Sequence, residues 1–331
     1  MHMSDALITP VVGGTMLATS SGLVGYSVRK IKIDIFEKRL PLMAVMGAFL
    51  FAAQMINFAI PGTGSSGHIG GGMLLAIILG PAAGFLTMAC VLLIQALFFA
   101  DGGLLAFGCN LINLGFFTAY VAYPLIFKPI TKKVLNKKTL MIGAIIASVV
   151  GLQLGSLGVV AETFLSGRTD LSLGLFLLFM QPIHLAIGLV EGVITGVVVH
   201  YLYSQNPDMI YSDHAISEVK TNKKLMIGII IISLIVGGLV SQFASSSPDG
   251  LEWAMEKTGL SPGDDHEVVG WFESLQSKIA PMPDYNFEGD QSKQGLGTST
   301  SGVMGSLLTL GITLILGLVI KRVRKRVKQV E

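Results

Sequence analysis

Apolar runs of about twenty residues recur along this chain, and clusters of lysine and arginine sit between them. A helix needs about 20 apolar residues to cross a hydrocarbon core of about 30 Å. Residues 9–28, 41–60, 104–127, 139–165, 173–203, 225–243 and 302–320 meet that requirement. Another apolar stretch, 73–100, is long but interrupted by Gly80-Pro81. Only 13% of the residues are charged against 51% hydrophobic, and a soluble chain carries about a quarter charged. Such a chain cannot cover a water-facing surface of its size. Soluble enzymes, disordered chains and disulfide scaffolds are therefore excluded, and nothing suggests a nucleic-acid partner. Cys90 and Cys109 lie inside apolar runs and read as small apolar residues. The expectation is an all-α, polytopic membrane helix bundle in the lipid bilayer of the cell.

The positive charges set the topology. Arg29, Lys30, Lys32, Lys38 and Arg39 form one cluster, and Lys128, Lys132, Lys133, Lys137 and Lys138 a second. Lys220, Lys223 and Lys224 form a third, and the segment from Lys321 to Lys328 a fourth. Placing all four in the cytoplasm puts the N-terminus outside and the C-terminus inside. Residues 61–72 and 101–103 are then both external, so 73–100 must cross an even number of times. Residues 73–79 rise only about 10 Å as a helix, which predicts a broken, short helix after residue 72. Irregular backbone at membrane depth survives only in protein or beside a cavity, so 61–80 is the first place to look for a site.

A polar stretch, 204–224, divides the chain into a first region, 1–203, and a second, 225–331. The second region reads as two further transmembrane helices enclosing an external segment, 244–301, with ten carboxylates against three lysines. Catalytic motifs are missing. The chain has no GxxxxGK[ST] and no HExxH, so it is expected to be a non-enzyme that takes any energy from an ion gradient or from another subunit.

The start of the chain carries the most specific chemistry. In Met1-His2-Met3 the bulky second residue is expected to keep Met1 in place, so that a free amine precedes His2. The Met1 amine, the His2 amide nitrogen and the His2 Nδ1 close a five- and a six-membered ring around one ion. Ni²⁺ and Cu²⁺ favour the resulting square-planar field, whereas Zn²⁺ prefers a tetrahedral one. His68, in the glycine-rich segment from Gly62 to Gly72, is the expected fourth donor. His184 and Glu191 share one helix face seven residues apart, as a secondary polar pair that is either structural or a proton or ion step. Asp101 and Glu162 read as interfacial anchors. Gly14, Ala18 and Gly22 recur every four residues, a pattern that permits close helix approach within the bundle or to a partner.

Several of these segments together resemble a known family. Met1-His2-Met3, Gly67-His68-Ile69-Gly70-Gly71-Gly72 running on to Leu79-Gly80-Pro81, Gln95 through Gly103, and His184 through Gly192 are similar to the CbiM/NikM family. That family comprises the substrate-specific components of energy-coupling factor transporters for cobalt and nickel. Pro248-Asp249-Gly250-Leu251-Glu252 resembles the PDGLE signature of its small partner component, so the chain looks like a fusion of the two. The resemblance implies a seven-helix component whose N-terminus inserts into the bundle, with Met1, His2 and His68 as metal ligands. It also implies that Gly14, Ala18 and Gly22 meet a transmembrane coupling subunit, that two ATPase subunits supply the energy, and that Ni²⁺ or Co²⁺ is cargo with no cofactor. The competing expectation is a stand-alone, proton-coupled metal transporter working through His184 and Glu191.

Overall fold

The computed structural model describes residues 2–31, 33–168, 173–211, 223–258, 267–287 and 294–330. Its first helix, α1 (Pro10–Lys30), is announced by Thr9 as N-cap and Pro10 at the first helical position, and ends on Arg29 and Lys30. Those residues suit the donor-rich start and the carbonyl-rich end of a helix. The second, α2 (Ile33–Gln54), contains Pro41 inside it rather than at its start. The span expected over 41–60 therefore stops early. Phe58–Ala59 forms a short strand, β1, which pairs antiparallel with β2 (Ser66–Gly67).

The half-helix is α3 (Gly72–Leu79), with all eight residues buried. At Gly80 the backbone has φ 85° and ψ 163°, a region open essentially to glycine. Pro81 then opens α4 (Pro81–Phe99), where its missing N–H costs nothing. The corner is held from below by Arg39, whose guanidinium donates to the carbonyls of Ile78 (2.6 Å), Asp208 (2.9 Å), Met209 and Ile210 (both 3.2 Å). Arg39, expected in a water-facing basic cluster, is only 3% exposed. Four carbonyls replace the water it gives up.

Next comes one continuous span built of α5 (Phe107–Leu111), a π-helical stretch (Ile112–Phe127) and α6 (Lys128–Thr131). It is followed by the hairpin of α7 (Lys137–Leu165) and α8 (Leu173–Gln205). Gly188, Gly192 and Gly196 recur every four residues where α8 crosses α7. A Cβ at Gly192 would lie 2.5 Å from Ile145 Cα, so no larger residue permits this crossing.

The second region contributes α9 (Lys223–Gly238), two shorter helices, α10 (Gly250–Thr258) and α11 (Glu267–Ile279), and the long α12 (Gln294–Val330). Both α9 and α12 pack against α2. Among the described residues, six helices are long and apolar enough to cross a membrane: Pro81–Phe99, Phe107–Thr131, Lys137–Leu165, Leu173–Gln205, Lys223–Phe243 and Gly295–Arg324. α1 and α2 reach a similar length. However, α1 is diluted by Gly, Ser and Thr, and α2 opens with a charged turn. Hydropathy and length alone thus do not establish the expected seven helices plus two.

Candidate metal centre

The His68 loop is fixed by buried polar groups reaching in from three helices. The Gly70 N–H donates to Glu191 Oε2 of α8 at 2.6 Å, and its carbonyl accepts from Gln54 Nε2 of α2 at 2.8 Å. Gln54 is itself held by Gln95 of α4 at 2.9 Å. His68 Nδ1 lies 3.0 Å from the Ile69 carbonyl. A carbonyl only accepts, so Nδ1 carries the proton and the Nε2 lone pair is left for a ligand. Burial, with the His2 ring beside it, pushes His68 down to about 3. The ring is therefore neutral at physiological pH, as an imidazole ligand must be.

Residues at the chain start are threaded into the bundle. Met3 is fully buried, and Asn110 brackets its backbone by accepting the Met3 N–H at 2.7 Å and donating to the Met3 carbonyl at 3.1 Å. The Gly103 N–H donates to the same carbonyl at 2.9 Å. Asp5, 1% exposed, accepts from the Ala106 N–H at 2.8 Å. This anchoring delivers the His2 ring onto His68, with centroids 5.1 Å apart and planes 11° from parallel. The His2 side chain is 6% exposed, its Nδ1 lies 3.2 Å from Asp101 Oδ1, and its buried Nε2 has no hydrogen-bond partner among the described residues.

Asp101 is thus not the interfacial anchor the sequence suggests. Its second oxygen, Oδ2, accepts from the hydroxyl of Tyr285 at 2.5 Å, a residue of the second region. Burial alone would push this carboxyl up, but the His2 ring and the Tyr285 hydroxyl hold it well below the usual carboxylate range. Burial and the adjacent Asp101 push Tyr285 well above its ordinary value, so it remains a donor. Glu162 likewise is buried, at 6% exposed, and accepts from Asn113 at 2.7 Å.

The Pro248–Glu252 segment has a physical reading residue by residue. The Pro248 carbonyl accepts from the Ser66 N–H at 2.7 Å, extending the β1–β2 hairpin. Asp249 Oδ1 accepts from the N–H groups of Leu251 and Glu252, while Glu252 Oε2 accepts from the Asp249 N–H. This is a capping box opening α10. A Cβ at Gly250 would lie 2.6 Å from Ile183 Cγ2 and 3.4 Å from His184 Cε1, so only glycine lets α10 start against α8. Leu251 is 2% exposed. The result is a cavity of about 730 Å³ whose lining includes His2, His68, Asp101, Asp249, Glu252 and Tyr285.

The other residues singled out in the sequence fall as follows. Met1 lies outside the described residues. His184 and Glu191 go to separate partners: His184 Nδ1 bonds the Met180 carbonyl at 2.8 Å, and Glu191 holds Gly70. Seven residues is about 10 Å along a helix, too far for these two side chains to meet, so they form no pair. Gly14, Ala18 and Gly22 lie on the exposed face of α1, with nothing within 4 Å of a Cβ added at Gly14 or Gly22. Among the described residues, no group of three His, Cys, Asp or Glu side chains is placed to hold an ion. Sequence reasoning missed Tyr285 and gave Asp101 a different role, since their pairing spans 184 residues and leaves no local pattern.

Residues 2–209 match the cobalt uptake substrate-specific transmembrane region CbiM, and residues 223–322 match the PDGLE domain. A protein of Archaeoglobus fulgidus, provisionally named a fused nickel transport protein NikMN, is 32% identical over 94% of this chain and 96% of its own. The fused nickel transport protein NikMN of Rhodobacter capsulatus is 29% identical over 96% of this chain and 98% of its own. A crystal structure of a truncated transition metal transporter, 32% identical, superposes with a TM-score of 0.55 over 62% of this chain and 99% of that one. With its matched membrane region, its PDGLE domain and its multi-pass helices, the chain belongs to the CbiM family of nickel and cobalt transport proteins.

Proposed function

We propose that this chain is the substrate-binding subunit of an ATP-driven, energy-coupling factor importer for Ni²⁺ or Co²⁺. The observation that carries the reading is the delivery of His2 onto His68 by a buried N-terminal segment, within a cavity lined by carboxylates. The Met1 amine, the His2 amide nitrogen and His2 Nδ1 supply three donors in one plane, and His68 Nε2 supplies the fourth. Backbone nitrogens make up half of that set. Binding requires His2 Nδ1 to turn from Asp101 to the ion.

The exposed stripe of Gly14, Ala18 and Gly22 suits close approach by a transmembrane coupling subunit, and two ATPase subunits drive release into the cytoplasm. The N-terminus is then outside and the C-terminus inside, in keeping with the placement of the basic clusters. The fused nickel transporters among the relatives favour Ni²⁺ over Co²⁺ as the physiological cargo.

Ni²⁺ titration of the purified protein, set against a form with one residue added before Met1 and against His68→Ala, tests the chelate. The expected result is one stoichiometric site in the native protein, lost in the extended form and weakened at least about tenfold by His68→Ala, since loss of even an outer-shell partner of a ligand costs about that much. Undiminished binding by the extended protein overturns the reading.

A further inference from the structure

The helix α11 carries a broad apolar surface, and the protein covers only part of it. Val269 and Gln276 are buried, and Phe272 packs against the core. Val268, Trp271, Leu275 and Ile279 follow one another at helical spacing and so form a neighbouring stripe. Val268, Trp271 and Ile279 are exposed, Trp271 to 59%. The Trp271 ring meets the Phe272 ring edge-on with centroids 5.0 Å apart, so the apolar surface runs unbroken from the core to the stripe. Glu273, Ser274, Ser277 and Lys278 occupy the remaining, water-seeking side.

The level of α11 is set by what it touches. Gln276 Nε2 donates to the Ala96 carbonyl at 3.0 Å and to the Gly102 carbonyl at 2.8 Å. Ala96 lies in the last turn of α4, one of the helices long and apolar enough to cross a membrane. α11 also packs on the turn Asp5–Leu7, which leads into α1. The chain beyond α11 keeps this level: the Met282 N–H donates to the Phe98 carbonyl at 3.1 Å, and the Tyr285 ring stacks on Phe99 at 4.8 Å. The headgroup layer extends about 5–8 Å beyond the hydrocarbon on each side of a bilayer. A helix resting on the ends of membrane spans therefore lies within that layer.

We propose that α11 is an interfacial helix whose stripe of Val268, Trp271, Leu275 and Ile279 is seated in phospholipid, in the leaflet on the side of the histidines. Lipid surrounds a multi-pass protein at this level, so an uncovered apolar stripe there gains by facing acyl chains rather than water. Tryptophan concentrates at that boundary, because its ring is apolar and its N–H still finds polar headgroups. The shape of the stripe also argues for lipid over a protein helix. Gly14, Ala18 and Gly22 give α1 a thin exposed face of the kind helices use to approach closely, whereas α11 exposes bulky side chains. The stripe itself is uncharged, and Glu267, Glu273 and Lys278 of α11 nearly cancel. A zwitterionic phospholipid therefore suffices as the partner. The middle of the second region is then held on one face by α4 and on the next by the bilayer.

The sequence holds two tryptophans, Trp253 and Trp271, so Trp253→Phe leaves Trp271 as the sole indole emitter. The test places this full-length variant in phosphatidylcholine nanodiscs, with the lipid either plain or brominated on the upper part of its acyl chains, and adds iodide to the water. Trp271 is expected to lose most of its emission in the brominated lipid and little of it to iodide. Equal emission in plain and brominated lipid overturns the proposal. Combined with strong iodide quenching, that result puts the stripe in water; combined with weak iodide quenching, it puts the stripe beneath a second copy of the chain. Should Trp253→Phe fail to fold, the native chain is compared with Trp271→Phe, which keeps an aromatic ring on α11. Brominated lipid is then expected to quench the native chain by a larger fraction than Trp271→Phe, and equal fractions overturn the proposal.

Discussion

Two corners of this molecule turn the chain sharply, and they are built on opposite principles. At Gly80-Pro81 the residue types themselves permit the turn: glycine takes φ 85° and proline starts the next helix. Around the C-terminal end of α4, three residues that disfavour left-handed backbone, Ala100, Asp284 and Tyr285, adopt it anyway, and long-range contacts between the two regions hold them there. The first corner is encoded locally and serves the architecture. The second is imposed by tertiary structure and sits beside the histidines, as expected when local strain is kept for function.

The sharpest way to break this comparison is to put a side chain at the first corner. Gly80→Val forces a β-branched residue into a glycine-only conformation and drives its Cβ to 2.7 Å from the Tyr211 ring. A loss of about 3 kcal/mol or more is expected from strain and overpacking together, read as a collapse of the melting temperature in detergent. A smaller effect belongs to Gly250→Ala, which pushes α10 from Ile183 at a cost of about 1–2 kcal/mol. It is expected to expose the second region to protease while the first remains intact; simultaneous cleavage of both would show that the two do not separate. The smallest effect has the opposite sign. Ala100→Gly relieves left-handed backbone and is expected to raise stability by up to about 1 kcal/mol. A lowered melting temperature would mean that Ala100 is not strained, and the contrast between the corners would fall.

The same contrast explains what the sequence could disclose. Hydropathy located the helix from Leu173 onward and the broken stretch around Gly80, because each depends on neighbours in the chain. Hydropathy misplaces α2, since Pro41 reads as a helix start and lies within one. His184 and Glu191 were grouped by periodicity, yet sharing a helix face over two turns does not bring side chains into contact; Glu191 instead serves the Gly70 peptide of a distant loop. Arg39 was counted with the cytoplasmic cations because its neighbours are basic, although four carbonyls from two remote segments bury it. In each case the deciding partner lies far away in the chain, where composition and spacing carry no information.

The two matched regions meet over a broad helix interface, α9 and α12 against α2, and through smaller contacts beside the histidines: a strand-like pairing at Ser66, a few hydrogen bonds near Asp101 and one aromatic stack. Two separate proteins joined by these contacts would have to offset the lost freedom of association with them. On one chain, the second region instead meets the first at an effective concentration set by the length of the connecting segment. The small contacts beside the histidines then need little strength of their own to stay formed.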